Sequence, residues 1–115
     1  MARKKNKNRI PKHIAEAVRE RAEGRCEAMN FPICNGRAEQ LHHRRLRSQG
    51  GEHTVVNLIA VCAPCHNRFH REVAEAVSQG WIVRSVHEPA EVPMKYRGMT
   101  ATLSEEGVVH YEYVG

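Results

Sequence analysis

The 115-residue sequence predicts one small α+β domain, because helix-like and strand-like patterns occupy separate stretches of the chain. Helical spacing recurs in residues 11–24 and in residues 64–80, and each stretch begins near a proline and ends at a glycine. Residues 55–61 form an apolar, β-branched run typical of a buried strand. Two strand-like runs flank a Ser-Glu-Glu-Gly turn in residues 100–114, which predicts a terminal hairpin.

The sequence patterns that predict the remaining elements are weaker. Residues 1–10 predict a flexible basic arm, and the turn-rich residues 25–40 predict an irregular loop. A short strand should lead into His42 and His43, and Trp81–Val86 predicts a further strand. The chain then divides into a basic arm (1–10), a core domain (11–87) and a linker with a terminal hairpin (88–115).

The charge distribution indicates a polyanionic partner. The formal net charge is +5, and residues 3–12 contain six Lys or Arg residues and no acid. A second basic group follows the histidine pair and consists of Arg44, Arg45 and Arg47. Nucleic acid is the usual partner of such tracts, although a solubilising tail explains the first one equally well. We expect the three arginines to contact a DNA backbone, with a solvated basic loop as the alternative for each.

The four cysteines predict a structural zinc site that stabilises a small core. Cys62 and Cys65 have the two-residue gap of a zinc knuckle, and Cys26 and Cys34 supply a second, more widely spaced pair. The charged N-terminus does not resemble a secretory signal, and no run approaches the ~18 apolar residues of a membrane span. We therefore expect a cytoplasmic protein without disulfides.

The cysteines have two other interpretations. Four unpaired thiols or a redox dithiol at Cys62-Ala-Pro-Cys65 would leave the chain without zinc. The sequence Cys62-Ala-Pro-Cys65-His66 also matches the attachment motif of a c-type haem. That motif requires export, and it leaves Cys26, Cys34 and the histidine pair unexplained.

The histidines predict a second, catalytic metal site. His66 and His70 lie four residues apart on a predicted helix, so both imidazoles can reach one ion. His42 would complete three protein ligands and leave an open position. Three imidazoles suit Zn²⁺, Ni²⁺ or Mn²⁺ better than Mg²⁺. His43 would lie beside the ion and take a proton from water near neutral pH.

At this point the sequence resembles the HNH endonuclease family. His42-His43, Asn57 and His66 match its three motif elements, and the Cys-x-x-Cys-His run resembles its zinc-containing branch. The resemblance implies a ββα-metal fold, with His42 and His66 as metal ligands, His43 as general base and Asn57 holding the loop that orients it. His70 matches a further ligand of the colicin-type branch. Many relatives have Asp at the position of His42, so the physiological metal stays open.

The resemblance implies metal-dependent hydrolysis of DNA phosphodiester bonds, with low sequence specificity because few side chains offer base readout. Residues 42–51 are similar to small endonucleases of bacteriophages and their hosts, some of which act beside the DNA-packaging terminase. A phage origin would place the chain in the host cytoplasm. The alternatives are a zinc-stabilised DNA-binding module without catalysis and a colicin-like toxin. The sequence indicates no oligomeric state.

Overall fold

The computed structural model describes residues 9–112, so most of the predicted basic arm lies outside the described residues. The helices are α1 (Lys12–Ala22), α2 (Ala63–Arg71) and α3 (Val73–Ser78), and the strands are β1 (Gln40–His43), β2 (Leu58–Val61), β3 (Met94–Tyr96), β4 (Met99–Leu103) and β5 (Val109–Tyr111). One antiparallel sheet pairs β1 with β2, and a second has the order β3-β4-β5. This arrangement confirms the predicted α+β class. The helices between residues 9 and 112 are all too short or too polar to span a bilayer.

Helix α1 forms where the sequence predicts it. Its backbone hydrogen bonds start at the carbonyl of Pro11, and the helix ends because Glu23 and Gly24 adopt left-handed backbone angles with φ of 53° and 76°. Val18 and Ala22 lie on its buried face and pack against β2. The helix therefore supports the back of the β1-β2 hairpin.

The ββα unit predicted from the family resemblance consists of β1, β2 and α2. His42 pairs with Ile59 across the antiparallel hairpin, and α2 follows β2 after a single residue. Strand β2 starts three residues later than the predicted run, because the amides of Asn57 and Leu58 both donate to the Thr54 carbonyl in a turn. All four residues of β2 are buried, so this strand lies in the core.

The predicted helix of residues 64–80 is interrupted in the structure. The backbone leaves the helical region at Glu72, with φ −119° and ψ 66°, and this separates α2 from α3. Glu75 reaches back across the break to Arg68 at 2.9 Å and to the Asn30 amide at 2.9 Å. Because the second helix is redirected, Val73 is 48% exposed. The helical spacing of His66, His70, Val73 and Val77 predicts a core position for Val73, and that prediction is wrong.

The strand predicted for Trp81–Val86 is absent. Trp81 and Ile82 donate their amides to the Ala76 carbonyl, and Val83 donates to the Arg44 carbonyl, so this run forms no sheet ladder. The three residues are nevertheless buried, and the Trp81 ring stacks on Phe69 at 5.2 Å. The apolar composition reflected burial of an irregular segment, and periodicity alone does not separate that from a buried strand.

The C-terminal segment packs into the same core as the cysteine loop. The predicted hairpin is present as β4 and β5, and β3 adds a strand that the sequence analysis did not predict within the linker region. Four side chains of β3 and β4 are buried in the main core: Met94, Tyr96, Ala101 and Leu103. Residues 113–115, at the end of the predicted hairpin, lie outside the described residues.

A buried ion pair between Arg21 and Glu27 connects to the C-terminal sheet through Tyr96 of β3. Arg21 donates to both carboxylate oxygens of Glu27, at 2.7 and 3.0 Å, and Tyr96 donates its hydroxyl to the same carboxylate at 2.6 Å. Burial, together with the Glu27 charge, raises the pKa of Tyr96, so the hydroxyl stays protonated. Hydrogen bonds satisfy the buried charge of Glu27, as a buried carboxylate requires.

Replacing Tyr96 with phenylalanine is expected to destabilise the fold by about 1.5–3 kcal/mol, the usual worth of a hydrogen bond to a charged group. Urea unfolding of the wild-type and Tyr96→Phe proteins would measure the loss. Tyr111→Phe is the matched control, because that ring is 36% exposed, and its effect should stay within about 0.5 kcal/mol. Equal losses in the two variants would contradict the assignment.

Candidate functional site

The four cysteines converge from two segments of the chain. Their sulfur atoms all lie within 4.8 Å of one another, and all four thiols are free in the described range, which contains every cysteine of the chain. The long spacing of the first pair is closed by an antiparallel bridge between Arg25 and Arg37. The Cys26 amide donates to the Gly36 carbonyl at 3.0 Å, which brings the two ends of the loop together. The predicted clustering of the cysteines is therefore observed.

Backbone amides point at the cluster's sulfur atoms. Cys26 accepts from Met29 and Cys62 at 3.4 and 3.3 Å. Cys34 accepts from Gly36 at 3.3 Å, and Cys62 from Cys65 at 3.4 Å. The Cys65 thiol, as a hydrogen-bond partner, lowers the pKa of Cys26 to about 5, whereas burial raises the pKa of Cys34 to about 11. Amide donors of this kind stabilise thiolates, which are the form that binds metal.

The sulfur geometry fits a tetrahedral zinc ion. Zinc–sulfur bonds of about 2.3 Å place neighbouring sulfurs about 3.8 Å apart in a tetrahedron. The Cys34 and Cys62 sulfurs are 3.7 Å apart. Cys65 is fully buried in the first turn of α2, and the exposed His70 follows five residues later. A metal bound at Cys65 would therefore fix the start of α2. The cysteine cluster is thus compatible with the predicted structural zinc.

Three histidines converge on the other side of α2. Ligand nitrogens of His42, His66 and His70 lie within 4.8 Å of one another. The ring of His42 is buried in β1, His66 is half-buried in the first turn of α2, and His70 is exposed one turn later. The group is therefore closed on the side of the core and open toward solvent, where a substrate can approach.

The histidine geometry fits a divalent cation. The Nε2 atoms of His66 and His70 are 3.3 Å apart, close to the about 3.3–3.4 Å expected for two nitrogens on a tetrahedral zinc ion. Nε2 of His42 donates to the Trp81 carbonyl at 2.7 Å, since a carbonyl can only accept, and Nδ1 is left as its ligand atom. Burial lowers the pKa of His42 to about 3 and also lowers that of His66. Both rings are thus neutral, as ligation requires.

His43 follows His42 on β1, and the alternation of the strand places its side chain on the opposite face. Its Nε2 is 2.9 Å from Nδ1 of His53, a loop residue that the sequence analysis did not single out. Burial, then the neighbouring charges of His53 and Arg47, lower the pKa of His43 to about 4. His43 is therefore a neutral imidazole near pH 7, and one ring nitrogen can accept a proton.

Asn57 fixes the loop between β1 and β2. Its side chain accepts from the Arg45 amide at 2.7 Å and donates to the carbonyls of Arg45 and Glu52 at 3.1 and 2.9 Å. The residue is buried, and its carbonyl accepts from the Arg44 amide at 2.7 Å. These bonds tie together both ends of the loop that follows His43. Hydrogen bonds of this kind would hold the loop in place, which is the role predicted for Asn57.

The prediction that Arg44 contacts DNA is wrong. Its side chain is fully buried, and its guanidinium donates to the carbonyls of Gly80, Val56, Pro89 and Val92 at 2.7–3.2 Å. The alternation of β1 explains this position, because residue 44 continues the buried face of His42. Arg44 instead links the β1-β2 loop to the segment that precedes β3.

Arg45 and Arg47 remain predicted DNA contacts. Arg45 lies 3.6 Å from Glu88 and donates Nε to the Gln49 carbonyl at 3.2 Å. Arg47 is exposed and donates to the Gly51 carbonyl at 2.6 Å. A Cβ atom at Gly51 would lie 1.7 Å from the Arg45 carbonyl oxygen, so only glycine allows this tight loop. Both guanidinium groups are thus held on the loop next to His43.

Residues 25–72 match the family model described as HNH endonuclease. The matched segment contains both metal-ligand clusters, His43 and Asn57. No curated protein and no solved structure gave a match to the chain. The match over residues 25–72 agrees with the family predicted from the histidine and cysteine pattern.

Proposed function

We propose that this chain is a metal-dependent endonuclease that hydrolyses DNA phosphodiester bonds, because residues 25–72 match the HNH endonuclease family model. The convergence of His42, His66 and His70 on one point, with His43 adjacent, is the observation that carries the proposal. Three imidazoles that converge at a position open to solvent on one side suit a working metal, whereas four clustered thiols suit a structural one. The two sites would then have separate functions.

His43 is the general base of the proposed reaction. A water molecule loses its proton to a ring nitrogen of His43 and attacks phosphorus in line. The new phosphorus–oxygen bond forms as the bond to the 3′-oxygen breaks, and the 3′-oxygen leaves with a proton from solvent. The products are 5′-phosphate and 3′-hydroxyl ends. The burial that keeps His43 neutral supports this role.

His42, His66 and His70 would hold a divalent cation beside the scissile phosphate. When bound, that cation would stabilise the negative charge that develops on the phosphate during hydrolysis. Imidazole ligands favour Zn²⁺, Ni²⁺ or Mn²⁺, and Mg²⁺ is the less suited choice. Asn57 keeps the loop after His43 closed, so the base and the ligand His42 stay in a fixed relation on β1.

Arg45 and Arg47 would position the DNA backbone on this loop. Backbone contacts orient a duplex without reading its bases, so cleavage should have low sequence specificity. The net charge of +5 supports binding to a polyanion. DNA packaging beside a bacteriophage terminase is one setting for this activity, and the likeness of residues 42–51 to small phage nucleases supports it.

Incubation of supercoiled plasmid with the zinc-loaded protein and Mn²⁺, Ni²⁺, Zn²⁺ or Mg²⁺ tests the proposal. We expect nicked and linear products with at least one of the first three ions, and no products with a chelator. End-labelling should find 5′-phosphates at many different sequences. If the protein binds the plasmid but cuts it with none of the four ions, it is a zinc-stabilised DNA-binding module instead.

A further inference from the structure

Gln40 lies next to the histidine group and is not one of the motif residues His42, His43, Asn57 and His66. Its side-chain oxygen is 2.6 Å from Nδ1 of His66, which makes a bridge from β1 to α2. Residues alternate faces along a strand, so Gln40 is on the same face of β1 as His42. One face of β1 thus carries both His42, a member of the metal-ligand set, and Gln40, which contacts the ligand His66 from behind.

This contact determines which nitrogen of His66 carries the proton. An imidazole that donates Nδ1–H to the amide oxygen of Gln40 has a bare lone pair on Nε2. That Nε2 is the atom 3.3 Å from Nε2 of His70, in the direction of the shared metal position. With the other tautomer, Nε2 would carry a hydrogen and could not bind an ion.

His42 is held by a matching contact on the opposite side of the site. The Trp81 backbone carbonyl accepts from its Nε2 at 2.7 Å and leaves Nδ1 bare. Metal-binding histidines usually donate their second nitrogen to a carbonyl or carboxylate, which fixes the tautomer and the ring orientation. For His42 the backbone provides this acceptor, and for His66 a replaceable side chain does.

We propose that Gln40 is a positioning residue that fixes the tautomer and aim of His66 and thereby sets the affinity of the three-histidine site for its metal. The inference rests on the proposed function, which assigns His66 as a ligand. A neutral amide orients the ring without adding negative charge. A carboxylate at this position would also make the imidazole more basic, so glutamate should bind the metal at least as tightly as glutamine.

Calorimetric titration of Ni²⁺ into protein whose cysteine site already holds zinc tests this role. Gln40→Leu should weaken Ni²⁺ binding by about 10–100-fold, and Gln40→Glu should restore or exceed the wild-type affinity. Gln49→Leu, the same exchange on an exposed turn, should leave the affinity unchanged. Gln40 is itself exposed, so its variants should fold normally. Long-range ¹H–¹⁵N spectra without Ni²⁺ should show His66 as the Nδ1–H tautomer in wild type and as a mixture in Gln40→Leu.

The possible outcomes separate this inference from the proposed function. If wild type binds Ni²⁺ more tightly than His66→Ala, but Gln40→Leu binds like wild type, the role of Gln40 is overturned and the metal site stands. If wild type binds Ni²⁺ no better than His66→Ala, both the role of Gln40 and the proposed metal site are overturned.

Discussion

Replacing His43 with alanine is expected to lower DNA cleavage by about 10²–10⁴-fold, the usual contribution of a positioned general base. The imidazole is neutral because burial lowers its pKa to about 4, so wild type has its proton acceptor ready at neutral pH. Alanine removes the acceptor and leaves His42, His66 and His70 in place. Cleavage rates measured on supercoiled plasmid at saturating metal would show the loss.

Two further measurements make the His43→Ala result specific. Metal content and plasmid affinity should stay at the wild-type level, because residue 43 is not a proposed ligand. His110→Ala is the matched control, since His110 is exposed on β5, away from the cluster, and its cleavage rate should be unchanged. A His43→Ala protein that cuts as fast as His110→Ala would remove His43 from the mechanism.

Replacing Cys65 with serine is expected to abolish the folded state at 37 °C. Structural zinc sites in small domains contribute about 10–16 kcal/mol of apparent binding free energy, which is as large as the whole stability of a typical domain. Cys65 is fully buried, and its sulfur lies in the cluster that joins the cysteine loop to the start of α2. Loss of the ion would release both halves of the histidine site at once.

Circular dichroism and zinc analysis of the Cys65→Ser protein would measure this effect. We expect less than one zinc per chain in the absence of other metals and no cooperative thermal transition. Ala63→Ser introduces the same hydroxyl in the same turn without removing a sulfur, and it should keep both properties. Retention of a cooperative transition without zinc would show that the cysteines do not stabilise the fold.

The sequence was most informative where spacing alone determines geometry. A Cys-x-x-Cys turn and two histidines four residues apart on a helix bring their side chains together whatever the rest of the fold does. The pairs Cys62–Cys65 and His66–His70 were therefore observed as predicted. The addition of Cys26, Cys34 and His42 to these pairs was predicted from the usual ligand number of metal sites, and it too was observed. The limits of α1 followed equally well from Pro11 and Gly24, because those residues act on the local backbone.

The sequence was least informative where tertiary contacts decide the outcome. Arg44 belongs to a basic run that is typical of a surface loop, but four carbonyls from distant segments make its burial favourable. The contacts of His53 with His43 and of Gln40 with His66 depend on how the loop and α2 approach β1, and no spacing rule predicts them. The break at Glu72 likewise has neither proline nor glycine to mark it.

Metal content and cleavage rate, measured on the same samples, test the two-site account most directly. The samples are wild type, His66→Ala and His110→Ala, each loaded with zinc at the cysteines and then supplied with excess Mn²⁺ or Ni²⁺. We predict two metal ions per chain and plasmid cleavage for wild type and His110→Ala, and one ion without cleavage for His66→Ala. Cleavage by His66→Ala at the wild-type rate, or cleavage by wild type holding a single ion, would contradict the account.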